Sequence, residues 1–198
     1  MESQEQALLW EIIENPDEDG PRLIYADWLE DRGNPRAEFI RIQYELARLD
    51  KEARPKGLVR REQVLFEERR SDWLGQLGLP LMWYSFRRGF VEDAMVSADK
   101  FIKQKGRILE VSPVRHLRIN LVDFGQASAF ASVPSLRHLQ RLHLSASHET
   151  RSLLFPLLES PYLTGLTQLD LIDARFDRDR LDELRRIALG SREDDAIG

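Results

Sequence analysis

The chain has no cysteine among its 198 residues. That excludes disulfides, thiolate metal sites and cysteine nucleophiles. It also lacks any uncharged apolar run of about 18 residues, the length a membrane-crossing helix needs, so no membrane partner is expected. Histidine is scarce. His116, His138, His143 and His148 are the only four, no two stand four residues apart, and no carboxylate motif accompanies them. Zinc-type ligand spacing is therefore missing, and neither a metal nor another cofactor is expected. Gly-x-Ser-x-Gly, phosphate-loop and Gly-x-Gly-x-x-Gly patterns are missing as well, so the chain is not expected to be an enzyme. Residues 1–6 are polar and carry no basic–apolar–small pattern, which predicts no secretory leader and a cytoplasmic location.

Charge is present but unevenly spread. The net is −5. Residues 1–50 hold 5 basic and 13 acidic side chains, residues 51–120 hold 15 and 9, and residues 121–198 hold 9 and 12. An acidic head beside a basic middle predicts either intramolecular complementarity or two faces with different partners. The apolar share of 42% is enough for a core in one large domain or two small ones.

Short helices with clear punctuation fill the first half. Leu8, Leu9, Ile12 and Ile13 recur at helical spacing, and Asn15-Pro16-Asp17 then breaks the chain. A second helix is expected to start at Pro21, carry Ile24, Tyr25, Trp28 and Leu29 on one side, and stop at Gly33. Asn34-Pro35 restarts a third, about 35–49, with Phe39, Ile42, Leu46 and Leu49 on one stripe. A fourth, about 58–76, turns Leu65, Trp73, Leu74 and Leu77 inward and Arg60, Arg61, Arg69 and Arg70 outward. Residues 83–90 are aromatic and partly alternating, and Arg88-Gly89 predicts a hairpin turn.

One stretch is more specific. Arg22, Leu23, Tyr25, Ala26, Asp27, Trp28 and Leu29 are followed by Gly33, Pro35, Arg36, Ala37, Glu38, Phe39 and Ile40. This run resembles the core motif of the bacterial repeat-companion domain, a small helical module of unknown function that commonly precedes repeat arrays. The resemblance implies no catalytic activity. On the residues alone, Arg22, Asp27, Arg36 and Glu38 flank a tight helix–turn–helix, where opposite charges can pair and fix the angle between helices. Tyr25, Asp27 and Trp28 are the alternative candidates for a peptide or ligand contact.

The second half repeats. Val114, Leu117 and Ile119 follow a pattern of apolar residues at positions 1, 4 and 6. Leu139, Leu142 and Leu144 repeat it, Leu166, Leu169 and Leu171 repeat it again, and Val91, Ala94 and Val96 form a weaker copy. The central positions 94, 117, 142 and 169 lie 23, 25 and 27 residues apart. Core and spacing resemble leucine-rich repeats, without their asparagine ladder, because Val122, Ser147 and Ala174 occupy those places. Between the strands, Phe101, Ile102, Ile108 and Leu109 form a loose helical set split by Gly106. Phe124, Ala127, Phe130 and Ala131 form a second set, and Leu153, Leu154, Leu157 and Leu158 a third. Leu181, Leu184, Ile187 and Ala188 mark a closing helix.

The expected fold is α/β. A helical module over 1–78 packs on a short right-handed leucine-rich-repeat solenoid over 79–190. That solenoid has about four parallel strands with helices on its convex side and a C-terminal capping helix, and 191–198 is a frayed tail. Side chains alternate along strands, so three columns face the concave side. They are Asp93, His116, Arg141 and Gln168; then Met95, Arg118, His143 and Asp170; then Ser97, Asn120, Ser145 and Ile172. His116, Arg118, Arg141, His143, Asp170 and Asp93 are the expected partner-binding residues, and the expected partner is another protein. Arg60, Arg61, Arg69, Arg70, Arg87 and Arg88 support an alternative reading as a nucleic-acid-binding accessory protein, which the acidic net charge disfavours. A structural subunit of a larger bacterial assembly is the remaining alternative.

Overall fold

A computed structural model describes residues 3–146 and 156–172. Helix α1 spans Gln4–Glu14 and opens on a capping box: Ser3 Oγ accepts from the Gln6 amide at 3.2 Å, and Gln6 Oε1 accepts from the Ser3 amide at 2.8 Å. Helix α2, Gly20–Glu30, has proline in its first turn, and Gly33 beyond it takes φ +64°. Helix α3 spans Arg36–Ala47. The cap position is Pro35, one residue later than expected, and the Asn34 side chain just before it accepts from the Arg36 amide at 3.0 Å. Helix α4 spans Lys56–Gly75 and buries Leu65 and Trp73.

The inward face of α2 differs from expectation. Ile24 is 58% exposed, whereas Arg22 is buried with Tyr25, Ala26 and Leu29. Positions 22, 25, 26 and 29 follow an i, i+3, i+4, i+7 stripe, and Ile24 lies off it. An apolar residue was set aside here in favour of an arginine because the arginine has a buried partner, described below.

Strands β1 (Trp83–Arg87), β2 (Phe90–Ser97), β3 (His116–Leu121), β4 (Arg141–Ala146) and β5 (Gln168–Ile172) form one sheet in the order β1-β2-β3-β4-β5. β1 and β2 make an antiparallel hairpin, and β2 to β5 run parallel. The turn is the expected Arg88-Gly89 pair, with φ of 47° and 88°. Two left-handed residues in a two-residue loop match the right-handed twist of a hairpin. The described residues thus form a mixed α/β fold with a five-stranded, mostly parallel sheet.

The repeat spacing is realised in the register. Ala94, Leu117, Leu142 and Leu169 pair across the parallel strands, and so do Val96, Ile119, Leu144 and Leu171. Between strands run α5 (Ala98–Lys103), α6 (Ile108–Val111), α7 (Phe124–Ala131) and a 3-10 turn at Pro134–His138. They cover one sheet face, and Phe101, Ile108, Leu109, Phe130 and Leu136 pack there against the strand leucines in one core cluster. Phe124 stands outside that stripe, exposed at the first position of α7.

Two smaller clusters join the helices to the sheet. Ile12, Tyr25, Ala26, Leu29, Ala37 and Ile40 close around Phe90 of β2. Phe39, Ile42, Leu46, Leu65 and Trp73 close around Phe86 of β1, with Phe39 and Trp73 ring centres 4.5 Å apart. The expected stripe at Leu153 and Leu154, the helix over 178–189, the tail over 191–198, and the ladder positions Ser147 and Ala174 lie outside the described residues.

Candidate functional site

The sheet face away from α5, α6 and α7 carries the polar columns. Along β3, Leu117, Ile119 and Leu121 are buried while Arg118 and Asn120 are exposed. The strict alternation follows from the period of two in a strand, so one face takes every second side chain. Register aligns Asp93, His116, Arg141 and Gln168 in one row, and Met95, Arg118, His143 and Asp170 in the next. Ser97, Asn120, Ser145 and Ile172 align by backbone pairing in the third. The six residues expected to bind a partner therefore share one surface.

Their partners differ. Asp93 Oδ1 lies 2.5 Å from His116 Nδ1, and its Oδ2 is 3.3 Å from Arg87 Nε. The second contact is an ion pair without hydrogen-bond alignment, and Oδ2 is otherwise unbonded. Asp170 accepts from Gln168 Nε2 at 2.9 and 3.0 Å and stands 3.7 Å from His143 Nδ1. Arg118 and Arg141 are exposed, and among the described residues neither has a carboxylate partner. The Arg118 guanidinium instead lies over the Trp83 ring at 4.9 Å. An exposed cation–π contact is worth about 0.5–1 kcal/mol, enough to orient the side chain without removing its charge from solvent.

Trp83 is the residue that sequence reasoning missed. In a simple two-residue hairpin it would pair with Ala94 and point toward the core. A bulge between Ser85 and Phe86 changes that: Phe86 pairs with Val91 but Ser85 pairs with Asp93, so Glu92 is the extra residue. The one-residue slip puts Trp83 opposite Met95, on the polar face. The second row therefore reads Trp83, Met95, Arg118, His143, Asp170.

The same bulge aims Glu92 at the helices. Its Oε1 accepts from Arg22 Nη2 at 2.9 Å and from Arg88 Nη2 at 3.1 Å, and both Glu92 and Arg22 are at most 5% exposed. Burial first, then the neighbouring Arg88 charge, pushes the Arg22 pKa down to about 10, against the pull of Glu92. Burial also works against the Arg88 charge, but Glu92 and Asp19 outweigh it and its pKa is raised. Around this centre, arginines at the strand starts hold residues 14–19. Arg88 donates to Asp19 Oδ1 and to the Pro16 carbonyl, Arg115 to Asp17 Oδ1 and to the same carbonyl, and Arg137 to Glu14. The acidic head and basic middle of the sequence meet here.

The charged motif residues Arg22, Asp27, Arg36 and Glu38 do not pair with one another, which corrects that expectation. Arg22 reaches Glu92 and the Glu18 carbonyl. Arg36 is buried over the Phe90 ring at 4.7 Å and donates to Gln76 Oε1 and the Gly89 carbonyl, and burial lowers its pKa. Asp27 bonds Arg41 at the surface. Glu38 takes both Arg61 donors at 2.6 Å, and that bonding lowers its pKa. Tyr25 donates to Glu5 at 2.9 Å, burial raises its pKa, and its ring stacks on Trp28 with centres 5.9 Å apart. Local charge pairing failed as a guide because each of these groups found a partner on another element. Of the alternative contact residues, Asp27 is exposed, Trp28 is half-buried and Tyr25 is buried.

A cleft of about 630 Å³ lies beside the first row, between α3, α4 and the starts of β2 and β3. Arg54, Arg87, Arg88, Arg115 and His116 face Asp17, Glu62 and Glu92 there. Among the described residues no group of three or more histidine, aspartate or glutamate side chains is arranged to hold a metal ion. No described helix is long and apolar enough to cross a membrane. Comparison with family models, with curated proteins and with solved structures gave no match.

Proposed function

We propose that this chain is a non-catalytic protein-interaction module that docks a partner segment on the polar face of its sheet. The observation that carries the reading is the pair of exposed arginines, Arg118 and Arg141, which among the described residues have no carboxylate partner and stand at the centre of an ordered row-and-column surface. Exposed charges without a carboxylate beside them are available to an incoming partner and steer its approach. In this reading β2 to β5 and their connecting helices are a short leucine-rich-repeat solenoid, supported by the sequential parallel strands at 23-, 25- and 27-residue spacing. The helical region is a repeat-companion module that caps the first strand pair, supported by Phe86 and Phe90 packing inside its clusters. The proposed location is cytoplasmic, in keeping with the lack of cysteine.

The test compares the parent with Arg118→Ala/Arg141→Ala. Both positions are exposed, so folding should change little, by about 0.5 kcal/mol or less at each. Affinity purification from the native cell should recover a partner with the parent and markedly less of it with the double variant. Equal recovery rejects the polar face as the binding surface.

Three of the six arginines that support the nucleic-acid reading are engaged with other elements of the chain. Arg61 is committed to Glu38, Arg87 faces Asp93, and Arg88 is turned inward to residues 16–19. A labelled RNA or DNA that shifts with the chain at low salt, and is released as salt rises, would favour it instead.

A further inference from the structure

The polar face is not uniformly charged along the row that crosses all five strands. Trp83 and Met95 come first, and Trp83 with its neighbour Met82 are 44% and 65% exposed. Arg118 follows, with Arg141 diagonal to it on the next strand. His143 comes next and Asp170 ends the row. The chemistry therefore changes in order from apolar to cationic to anionic. Among the described residues, Asp93 is met by His116 and Arg87, whereas Asp170 accepts only from the neutral Gln168 amide and stands 3.7 Å from His143, so its charge is left largely uncompensated. The guanidiniums of Arg118 and Arg141 carry the surplus.

We infer that the partner segment is an extended stretch of about six residues. It carries an apolar side chain, then a carboxylate, then a lysine or arginine, and it lies across the strands along the Trp83–Asp170 row. This deepens the interaction reading above and rests on it. Its dimensions come from strand geometry. Neighbouring strands lie about 4.8 Å apart, so the four gaps of the row span roughly 19 Å, which an extended chain rising about 3.3 Å per residue crosses in about six residues. Alternate side chains of such a chain face the sheet about 6.6 Å apart. An apolar residue seated between Trp83 and Met95 places the next inward side chain over Arg118, within reach of Arg141. One further on, a long basic side chain meets Asp170. Trp83 has two roles. Its ring supplies apolar area, and its stacking on Arg118 holds the guanidinium in place before a ligand arrives, which lowers the ordering cost of binding. An all-acidic segment would set a carboxylate against Asp170, and an all-apolar one would bury two arginines without partners.

The experiment selects heptapeptides from a random displayed library on the full chain, on Trp83→Ala, on Arg118→Glu/Arg141→Glu and on Asp170→Lys, each first checked for an unchanged thermal melt. The parent should enrich sequences in which a carboxylate sits between an apolar and a basic residue, in one chain direction. Trp83→Ala should lose the apolar preference. Arg118→Glu/Arg141→Glu should exchange the central acid for a base and weaken the parent's best peptide about tenfold or more. Asp170→Lys should convert the terminal base to an acid. Enrichment of a different order that still depends on these residues overturns the inference and leaves the interaction reading standing. Enrichment of identical sequences by all four proteins, or no enrichment on the parent, overturns both.

Discussion

Replacing Glu92 by glutamine removes one charge and almost no volume, at the point where the helices meet the sheet. Among the described residues Glu92 is the only carboxylate bonded to Arg22, and α2 holds that side chain with 1% of its surface exposed. With a pKa of about 10, Arg22 stays charged at neutral pH and cannot escape by losing its proton. Breaking a buried pair from one side costs about 3–5 kcal/mol, because the remaining charge is desolvated without compensation. The retained amide oxygen still accepts a hydrogen bond, and Arg88 keeps Asp19, so the expected loss is at the lower end, about 3 kcal/mol. In urea unfolding followed by circular dichroism, with a slope near 2 kcal/mol per molar, the midpoint should fall by about 1.5 M. A paired replacement, Arg22→Met with Glu92→Leu, should recover most of the loss, since an apolar pair of similar volume pays no desolvation. The reasoning is refuted if Glu92→Gln costs less than about 1 kcal/mol, or if the paired variant is less stable than the single one.

Asp17→Asn removes the same charge from the Arg115 pair but should cost only about 0–1 kcal/mol in the same assay. Asp17 is 79% exposed, and Arg115 retains the Pro16 carbonyl. A loss as large as that of Glu92→Gln would show that charge count, not burial, sets the effect. Gly89→Ala should destabilise by about 2 kcal/mol or more, because φ is +88° and a Cβ would overlap Ile40 Cγ1 and come within 3.0 Å of its Cα. An unchanged midpoint would contradict the close approach of α3 to the hairpin. Burial holds the His138 pKa below 6.5, with Arg137 acting in the same direction and Glu14 opposing. Both folded and unfolded chains are neutral at this residue above pH 6.5, and the unfolded chain takes the proton first as pH falls. Stability is therefore lost below about pH 6.5, and His138→Gln should lose less of it between pH 7 and 5 than the parent. Equal losses would contradict a half-buried neutral imidazole.

Much of this arrangement was legible in the residues. Apolar strand residues 23 to 27 apart set the strand register because a period of two leaves only one face for them, and the polar columns followed without further information. The Arg88-Gly89 turn was readable because only a left-handed pair closes a two-residue hairpin cleanly. The bulge at Glu92 was not readable. Nothing in the string Phe90-Val91-Glu92-Asp93 says which residue drops out of the ladder, and that choice decides where Trp83 points and what Arg22 meets. The helical motif misled for a related reason. Arg22, Asp27, Arg36 and Glu38 are close in sequence, but burial on one helix face and pairing with Glu92, Arg41, Gln76 and Arg61 are decided by elements up to 70 residues away.

The central claim is that the polar sheet face, centred on Arg118 and Arg141, is where a partner docks. The most direct measurement is quantitative affinity purification from the native cell with parent and Arg118→Ala/Arg141→Ala baits of equal melting temperature, read by mass spectrometry. The account predicts one or more proteins enriched by the parent and depleted at least about tenfold with the double variant. A partner set recovered in equal amounts by both baits would contradict it.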